Sequence, residues 1–204
     1  MNIKETLYWV EDLLPGDMTV VSRQVGESFP IFNIASAHIG EEGSEESVAM
    51  TLDMSRIDPG LESEDGADVR VELLIVHQGH SGVGPDLLAT AATMISEDPM
   101  ERSPQPGLTL PGLAGHVDGS ITATHGVLVV PFVWSQGVPH ILEVAQNADG
   151  ETQEEFTHPG RMTVPAQLVM LTDEEFAVVE SEGLGAAQRY IVENNINVND
   201  LWRQ

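Results

Sequence analysis

Alternating apolar and polar positions predict that much of this chain forms short β-strands. In the first half, four runs rich in β-branched residues have this pattern: 19–25 (TVVSRQV), 32–39 (FNIASAHI), 47–54 (SVAMTLDM) and 69–76 (VRVELLIV). In the second half, three more apolar runs predict strands: 126–133 (GVLVVPFV), 140–146 (HILEVAQ) and 164–171 (VPAQLVML). The first two of these are apolar enough for central strands, although Pro131 cannot donate to a ladder and indicates an edge or a bulge.

The clearest predicted helix follows a glycine-rich loop at 77–84. Pro85 suits a first helical turn, and Asp86 adds a favourable charge there. Apolar residues then recur at intervals of three and four as far as Ile95, which is typical of a helix packed on a core. Residues 6–14 have a mixed helical and irregular pattern that stops at a Pro-Gly turn signal.

The C-terminal part predicts two helices and a tail. Thr172 follows the last strand as an N-cap residue, and Glu175 lies three positions on, which is the spacing of a capping box. We expect this helix to end at Gly183, a second helix to span 184–194, and a short extended tail to close the chain at 196–204. These elements predict one α+β domain over residues 1–204, in which mixed β-sheets pack with a few helices.

Composition limits the classes of function. The chain has no cysteine, which excludes disulfides, thiolate metal sites and thiol nucleophiles and suits a reducing compartment. No run of about 18 apolar residues occurs, so no transmembrane helix is expected. The first residues, MNIKE, lack the apolar segment of a secretory signal. We therefore expect a cytoplasmic protein.

Charge is the strongest compositional feature. The chain carries 33 Asp and Glu against 8 Lys and Arg, a formal net charge of −25. Such a field repels nucleic acid and anionic membranes, so neither is an expected partner. It would speed the encounter with a basic protein, in a salt-dependent way. Solubility alone is the competing explanation of the same charge.

Two patterns in the loop at 77–84 invite chemical interpretation. His77 and His80 form an H-x-x-H pair to which His116, His125 or an aspartate could add a third metal ligand, the basis of a rival hypothesis of a metal-dependent hydrolase. The glycines of the same loop resemble a phosphate loop but lack its Gly-Lys-Ser/Thr ending. No G-x-S-x-G motif occurs either. We predict no catalytic, cofactor or metal residues.

Seven stretches, taken in order, resemble motifs of the Suppressor of fused family. The best matches are C-terminal, where 167–176 (QLVMLTDEEF) is similar to the family's strand and T-x-E-E helix start, and 198–203 (VNDLWR) to its closing tail. The other five are 51–55 (TLDMS), 71–73 (VEL), 115–117 (GHV), 125–131 (HGVLVVP) and 183–191 (GLGAAQRYI). Asp53 stands where the family has a glycine. The resemblance covers about residues 30–203.

The resemblance implies an α+β domain without catalytic residues that works by binding another protein. Animal members of the family sequester a transcription factor, and short bacterial members of the single-domain type occur among the immunity proteins of toxin systems. The sequence therefore predicts a non-enzymatic binding module, with an immunity-type protein that neutralises a basic toxin as the first hypothesis. A regulatory or scaffold protein without a toxin partner is the alternative. The oligomeric state stays open.

Five residues are the candidates for contact with the partner. Trp134 follows an apolar strand and could anchor a partner, although a tryptophan in this position is more often part of a core. The acidic pair Glu154 and Glu155 lies in a polar loop, and Asp200 and Arg203 belong to the tail that resembles the family's C-terminus.

Overall fold

A computed structural model describes residues 1–39, 46–143 and 158–204 of the chain. The α-helices are α1 (Ile3–Leu13), α2 (Val83–Ser96), α3 (Asp173–Glu182) and α4 (Leu184–Glu193). The strands are β1 (Met18–Gln24), β2 (Ile31–His38), β3 (Glu46–Thr51), β4 (Leu61–Glu62), β5 (Asp68–Gln78), β6 (Thr109–Leu110), β7 (His125–Val129), β8 (Ile141–Leu142) and β9 (Arg161–Leu171). Two 3₁₀ turns occupy Met54–Arg56 and Leu113–His116.

The described strands form one mixed sheet. Its order is β1-β2-β3-β5-β9-β7-β6, and β4 and β8 pair with one end of β5 and of β9 respectively. All pairs are antiparallel except the central pair of β5 and β9, which is parallel from Asp68 opposite Arg161 to Leu74 opposite Gln167. The predicted α+β class with a mixed sheet is confirmed.

Both faces of the sheet are covered, because side chains alternate between the faces along each strand. One face packs against α2, whose residues Leu87, Leu88, Ala91 and Ile95 are fully buried. The opposite face carries two separate clusters. Trp9 and Val10 of α1 cover the β2–β3 end, while α3 and α4 cover β7 and β9. The third cluster forms the candidate site described below.

Most predicted elements occur close to their predicted positions. The four N-terminal strands, the strand at 164–171 and the three best-patterned helices are all present, and α1 is helical from Ile3 onward. The capping box is also confirmed: the Thr172 side chain accepts a hydrogen bond from the Glu175 amide, and the Glu175 side chain accepts one from the Thr172 amide. In the described part of the chain, no helix is long and apolar enough to cross a membrane.

Three predictions differ from the structure. The run at 126–133 forms a strand only as far as Val129, because Pro131 cannot continue the ladder. The run at 140–146 is not a central strand in its described part, since the two residues of β8 pair only with one end of β9; residues 144–146 lie outside the described residues. The tail after Ile196 consists of turns rather than extended chain, because Asp200 donates its amide to the Asn197 carbonyl.

Candidate protein-binding surface

The glycine-rich loop after β5 makes room for two aromatic rings. Gly79 has φ +105°, and a Cβ atom there would lie 2.5 Å from Cζ3 of Trp202. At Gly84, in the first turn of α2, a Cβ atom would overlap the His77 ring. These glycines therefore permit close packing of a ring against the backbone. Packing accounts for the pattern that resembled a phosphate loop.

The histidines of the rival metal hypothesis have other surroundings. The His77 ring is buried, its Nδ1 donates to the Gln78 carbonyl at 3.3 Å, and burial lowers its pKa, which keeps the ring neutral at pH 7. His125 contacts Asp173 through Nε2 at 2.9 Å and stacks on Phe176 with ring centroids 4.1 Å apart. Within the described ranges, no group of three or more His, Asp or Glu residues is placed to hold a metal ion.

Arg203 holds the C-terminal tail to α3 and β9. Its Nε and Nη2 donate to the two Glu175 carboxylate oxygens at 3.0 and 2.6 Å, and Nη2 also donates to the Met170 carbonyl at 2.6 Å. Nη1 donates to the carbonyls of Asp200 and Val198. All five N–H donors of the guanidinium are thus satisfied inside the chain, and its side chain is only 8% exposed.

The remainder of the tail is fixed in the same way. Asp200 accepts a hydrogen bond from the Trp202 amide through Oδ1, and the Trp202 indole donates to the Ser120 hydroxyl at 3.1 Å. Farther back, the Asn199 carbonyl accepts from the Gln78 amide at the end of β5. The predicted site residues Asp200 and Arg203 are therefore brought together as part of the tail's own packing.

Trp134 belongs to an apolar surface segment that follows β7. Phe132 is 60% exposed, Val130 and Val133 are exposed on either side of it, and Trp134 is half-buried against the α1 cluster. The Phe132 amide donates to the buried Gln167 side chain at 3.2 Å, which fixes the start of this segment to β9. Uncharged residues with exposed apolar side chains are the usual centre of a protein contact.

Beside this segment lies a cavity, here called the hairpin groove, between the α3–α4 pair and the sheet. It has a volume of about 420 Å³, and two of its lining residues, Phe132 and Val192, are large apolar side chains exposed to solvent. Its lining residues are apolar apart from Gln188: Val127, Val129, Phe132, Val169, Leu171, Val179, Leu184, Ala187, Ile191, Val192 and Val198. A cavity of this size and character is typical of a binding site.

The two helices that form one wall of the hairpin groove are strongly acidic. Residues 172–194 contain six carboxylates and a single basic residue, Arg189. Glu175 is buried and paired with Arg203, whereas the other five are exposed: Asp173, Glu174, Glu180, Glu182 and Glu193. These five, here called the acidic rim, lie on the same two helices that form one wall of the groove, and they give this helix pair a negative surface.

Of the three predicted partner-binding residues that the structure describes, only Trp134 lies in the apolar segment beside the groove. Glu154 and Glu155 lie outside the described residues. Sequence reasoning missed Phe132 and Val192, because the groove assembles from four separate segments. The sequence did contain a signal for them. Each is a large apolar residue at a position that the pattern of its element places toward solvent, and such a residue can mark a contact surface.

The mixed sheet has α2 on one face. On the other face lie the capped pair α3 and α4 and the C-terminal tail that Arg203 holds in place. This arrangement is the Suppressor-of-fused-like fold. Over 99% of its length the chain is similar to the crystal structure of a protein described as a suppressor of fused homologue from Neisseria gonorrhoeae, with a TM-score of 0.63, 14% identity and 93% coverage of that chain. It is also similar to Sufu in the Sufu–Fu complex, with a TM-score of 0.63, 13% identity, and coverage of 99% of this chain and 89% of that chain. No family model and no curated protein matches the sequence.

Proposed function

We propose that this protein is a cytoplasmic, non-enzymatic binding module that neutralises a basic protein toxin by stoichiometric association, as an immunity protein does. The observation that carries the proposal is an exposed apolar surface on a strongly acidic protein: Phe132 and the hairpin groove, one wall of which is formed by the two helices that carry the acidic rim. An apolar centre supplies affinity, and the net charge of −25 supplies fast encounter with a basic partner.

The fold supports the same proposal. Sufu, which has a similar structure, is found in complex with Fu. Of the residues predicted from the sequence, the proposal retains Trp134 as a contact beside Phe132. The acidic pair Glu154 and Glu155 remains a prediction, as an additional charged contact. Asp200 and Arg203 act indirectly, because they position the tail against α3.

The test is affinity capture from the source cells with the purified chain as bait. Bound proteins are eluted with a salt gradient that starts near 20 mM, where charged surfaces interact over about 20 Å or more. We expect a basic protein to be retained, to elute as salt rises, and to form a 1:1 complex in sedimentation velocity. If that protein is toxic when expressed alone, co-expression of this chain should restore growth.

Two variants separate a specific surface from general charge. Trp134→Ala removes a predicted contact, and Tyr8→Ala removes an exposed aromatic side chain from α1 as the matched control. We expect about tenfold weaker binding from the first and unchanged binding from the second, once circular dichroism has shown that both are folded. A chain that retains nothing at low salt would overturn the proposal.

A further inference from the structure

The hairpin groove has the shape of a receptor for apolar side chains. Its floor is the β7–β9 face, with Val127, Val169 and Leu171, and its wall is formed by Leu184 and Ile191 of α4. Among the lining residues only Gln188 offers a polar side chain. A ligand that enters must therefore bring apolar atoms and no unsatisfied hydrogen-bonding groups.

The mouth of the hairpin groove carries exposed apolar area that docking would bury. Phe132 and Val192 both line the groove and are 60% and 74% exposed. Removing such side chains from water favours association in proportion to the apolar area that is buried. A ligand that covers these two side chains as well as the interior would therefore gain the most.

The floor strand β7 has no free edge for an extended peptide. On one side, β7 pairs with β9 from His125 to Val129. On the other side it pairs with β6, and the Leu128 amide and carbonyl bond to the Leu108 carbonyl and the Gly107 amide. An extended segment laid in the groove would bury its own unpaired backbone groups, whereas a helix satisfies them internally.

The acidic rim specifies the charge of the occupant. Five exposed carboxylates, with Arg189 as the single basic side chain of the helix pair, favour lysines and arginines at the edge of the contact. Such charge pairs at a rim increase the association rate and help to reject acidic competitors.

We infer that the hairpin groove binds an amphipathic helix of a basic partner protein. Apolar side chains of that helix, at positions i, i+3 or i+4 and i+7, occupy the groove and contact Phe132 and Val192, and its basic residues pair with the acidic rim. This inference rests on the proposed function, and it names the surface and the binding mode that the function would use.

The direct test uses two synthetic 18-residue peptides of leucine and lysine with the same composition. In one, the leucines lie on a single helical face, and in the other their order is scrambled. The protein is labelled on its Ile, Leu and Val methyl groups for NMR, and affinity is measured by fluorescence anisotropy at 150 mM salt. We expect the amphipathic peptide to shift the methyl signals of Val127, Val169, Leu171, Leu184 and Ile191, and to bind at least about tenfold more tightly than the scrambled one.

Three variants locate the site on the protein. Ala187→Leu fills the groove from its wall, and Val192→Lys adds a positive charge at the mouth. Val20→Lys makes the same change at a 49%-exposed valine of β1, at the opposite edge of the sheet. We expect the first two to weaken binding of the amphipathic peptide at least about tenfold and the third to leave it unchanged. Melting temperatures confirm that each variant is folded.

Several outcomes would overturn the inference. Equal affinity for both peptides, or methyl shifts confined to other surfaces, would show that only net charge attracts the peptide. A wild-type dimer that Ala187→Leu converts to a monomer would assign the hairpin groove to a second copy of this chain. A captured toxin that binds Ala187→Leu and Val192→Lys as tightly as the wild type would refute the groove while leaving the proposed function intact.

Discussion

At the scale of single residues, Glu72 is the most unusual side chain of the fold. It is fully buried in β5, and the donors that reach it in the described structure are neutral: the hydroxyls of Thr51 and Ser55, and the amides of Met54 and Ser55 at 3.0 and 3.1 Å from its oxygens. The carboxyl group thereby fixes the 3₁₀ turn that follows β3. Burial raises its pKa, because the charged form loses its hydration.

The raised pKa of Glu72 determines how its contribution to protein stability changes with pH. The folded state binds the Glu72 proton more tightly than the unfolded state, so this group's contribution is fully present below the unfolded pKa and is lost as pH rises through the folded pKa. Glu72→Gln removes that titration. We expect the difference in unfolding free energy, wild type minus variant, to decrease with rising pH, by at most about 1.4 kcal/mol for each pH unit. Urea unfolding at several pH values from 4 upward measures it.

A surface variant controls for the loss of a carboxylate as such. Glu101→Gln removes an exposed negative charge from the loop after α2. The prediction applies to the pH dependence of the Glu72→Gln difference after the pH dependence of the Glu101→Gln difference has been subtracted. A difference that stays constant with pH would mean that Glu72 has the same pKa in the folded and unfolded chain, and a difference that increases would mean that folding lowers its pKa; either result would contradict the prediction.

At the scale of elements, the ion pair between Arg203 of the tail and Glu175 of α3 should contribute strongly to stability. Arg203 and Glu175 are 8% and 4% exposed, and Glu175 also accepts the Thr172 amide in the capping box. One carboxylate thus caps the helix and holds the tail. Removing its buried partner leaves a charge without compensation inside the protein.

Arg203→Ala should therefore lower the unfolding free energy by about 3–5 kcal/mol. Arg203→Lys keeps the charge but not the planar pair of hydrogen bonds, so its unfolding free energy should lie between those of the wild type and Arg203→Ala. The matched control is Arg102→Ala, whose pair with Glu97 is roughly half-exposed and should contribute within about 1 kcal/mol. Urea denaturation gives all three values, and a loss for Arg203→Ala as small as that of Arg102→Ala would contradict the buried-pair account.

Helices and strands could be predicted from the sequence where neighbouring residues determine them. The hairpin groove could not be predicted in this way. Thr172 and Glu175 define a helix start by their spacing alone, so the sequence identified α3 correctly. The turns of the tail depend on a carboxylate 28 residues away that binds Arg203, which no local pattern indicates. The hairpin groove likewise depends on how far α4 stands from the sheet, and this distance follows from packing between remote segments.

At the scale of the whole molecule, charge acts on stability as well as on association. With 33 acidic and 8 basic residues, the folded chain concentrates like charges that the unfolded chain spreads apart. Salt screens this repulsion, since the Debye length falls from about 10 Å at 0.1 M to about 3 Å at 1 M.

The melting temperature should therefore rise with salt. Each 1 kcal/mol of relieved repulsion corresponds to about 2–4 °C for a chain of this size. Differential scanning calorimetry between 20 mM and 500 mM NaCl measures the effect. KCl should act equally, because the effect comes from ionic strength rather than from a bound ion. A melting temperature that stays level or falls would show that local ion pairs outweigh the net charge.

The parallel pair at the centre of the sheet also affects how the chain folds. Asp68 of β5 and Arg161 of β9 are 93 residues apart, yet they lie side by side and are joined by a hydrogen bond. Contacts between remote segments slow folding, because a long loop must close before they form. On the ribosome, β5 emerges long before its central neighbour is synthesised, so one of its backbone edges stays unpaired during most of translation. During this time the nascent chain can form incorrect strand pairs. Its high negative charge then disfavours association with other copies of the same chain.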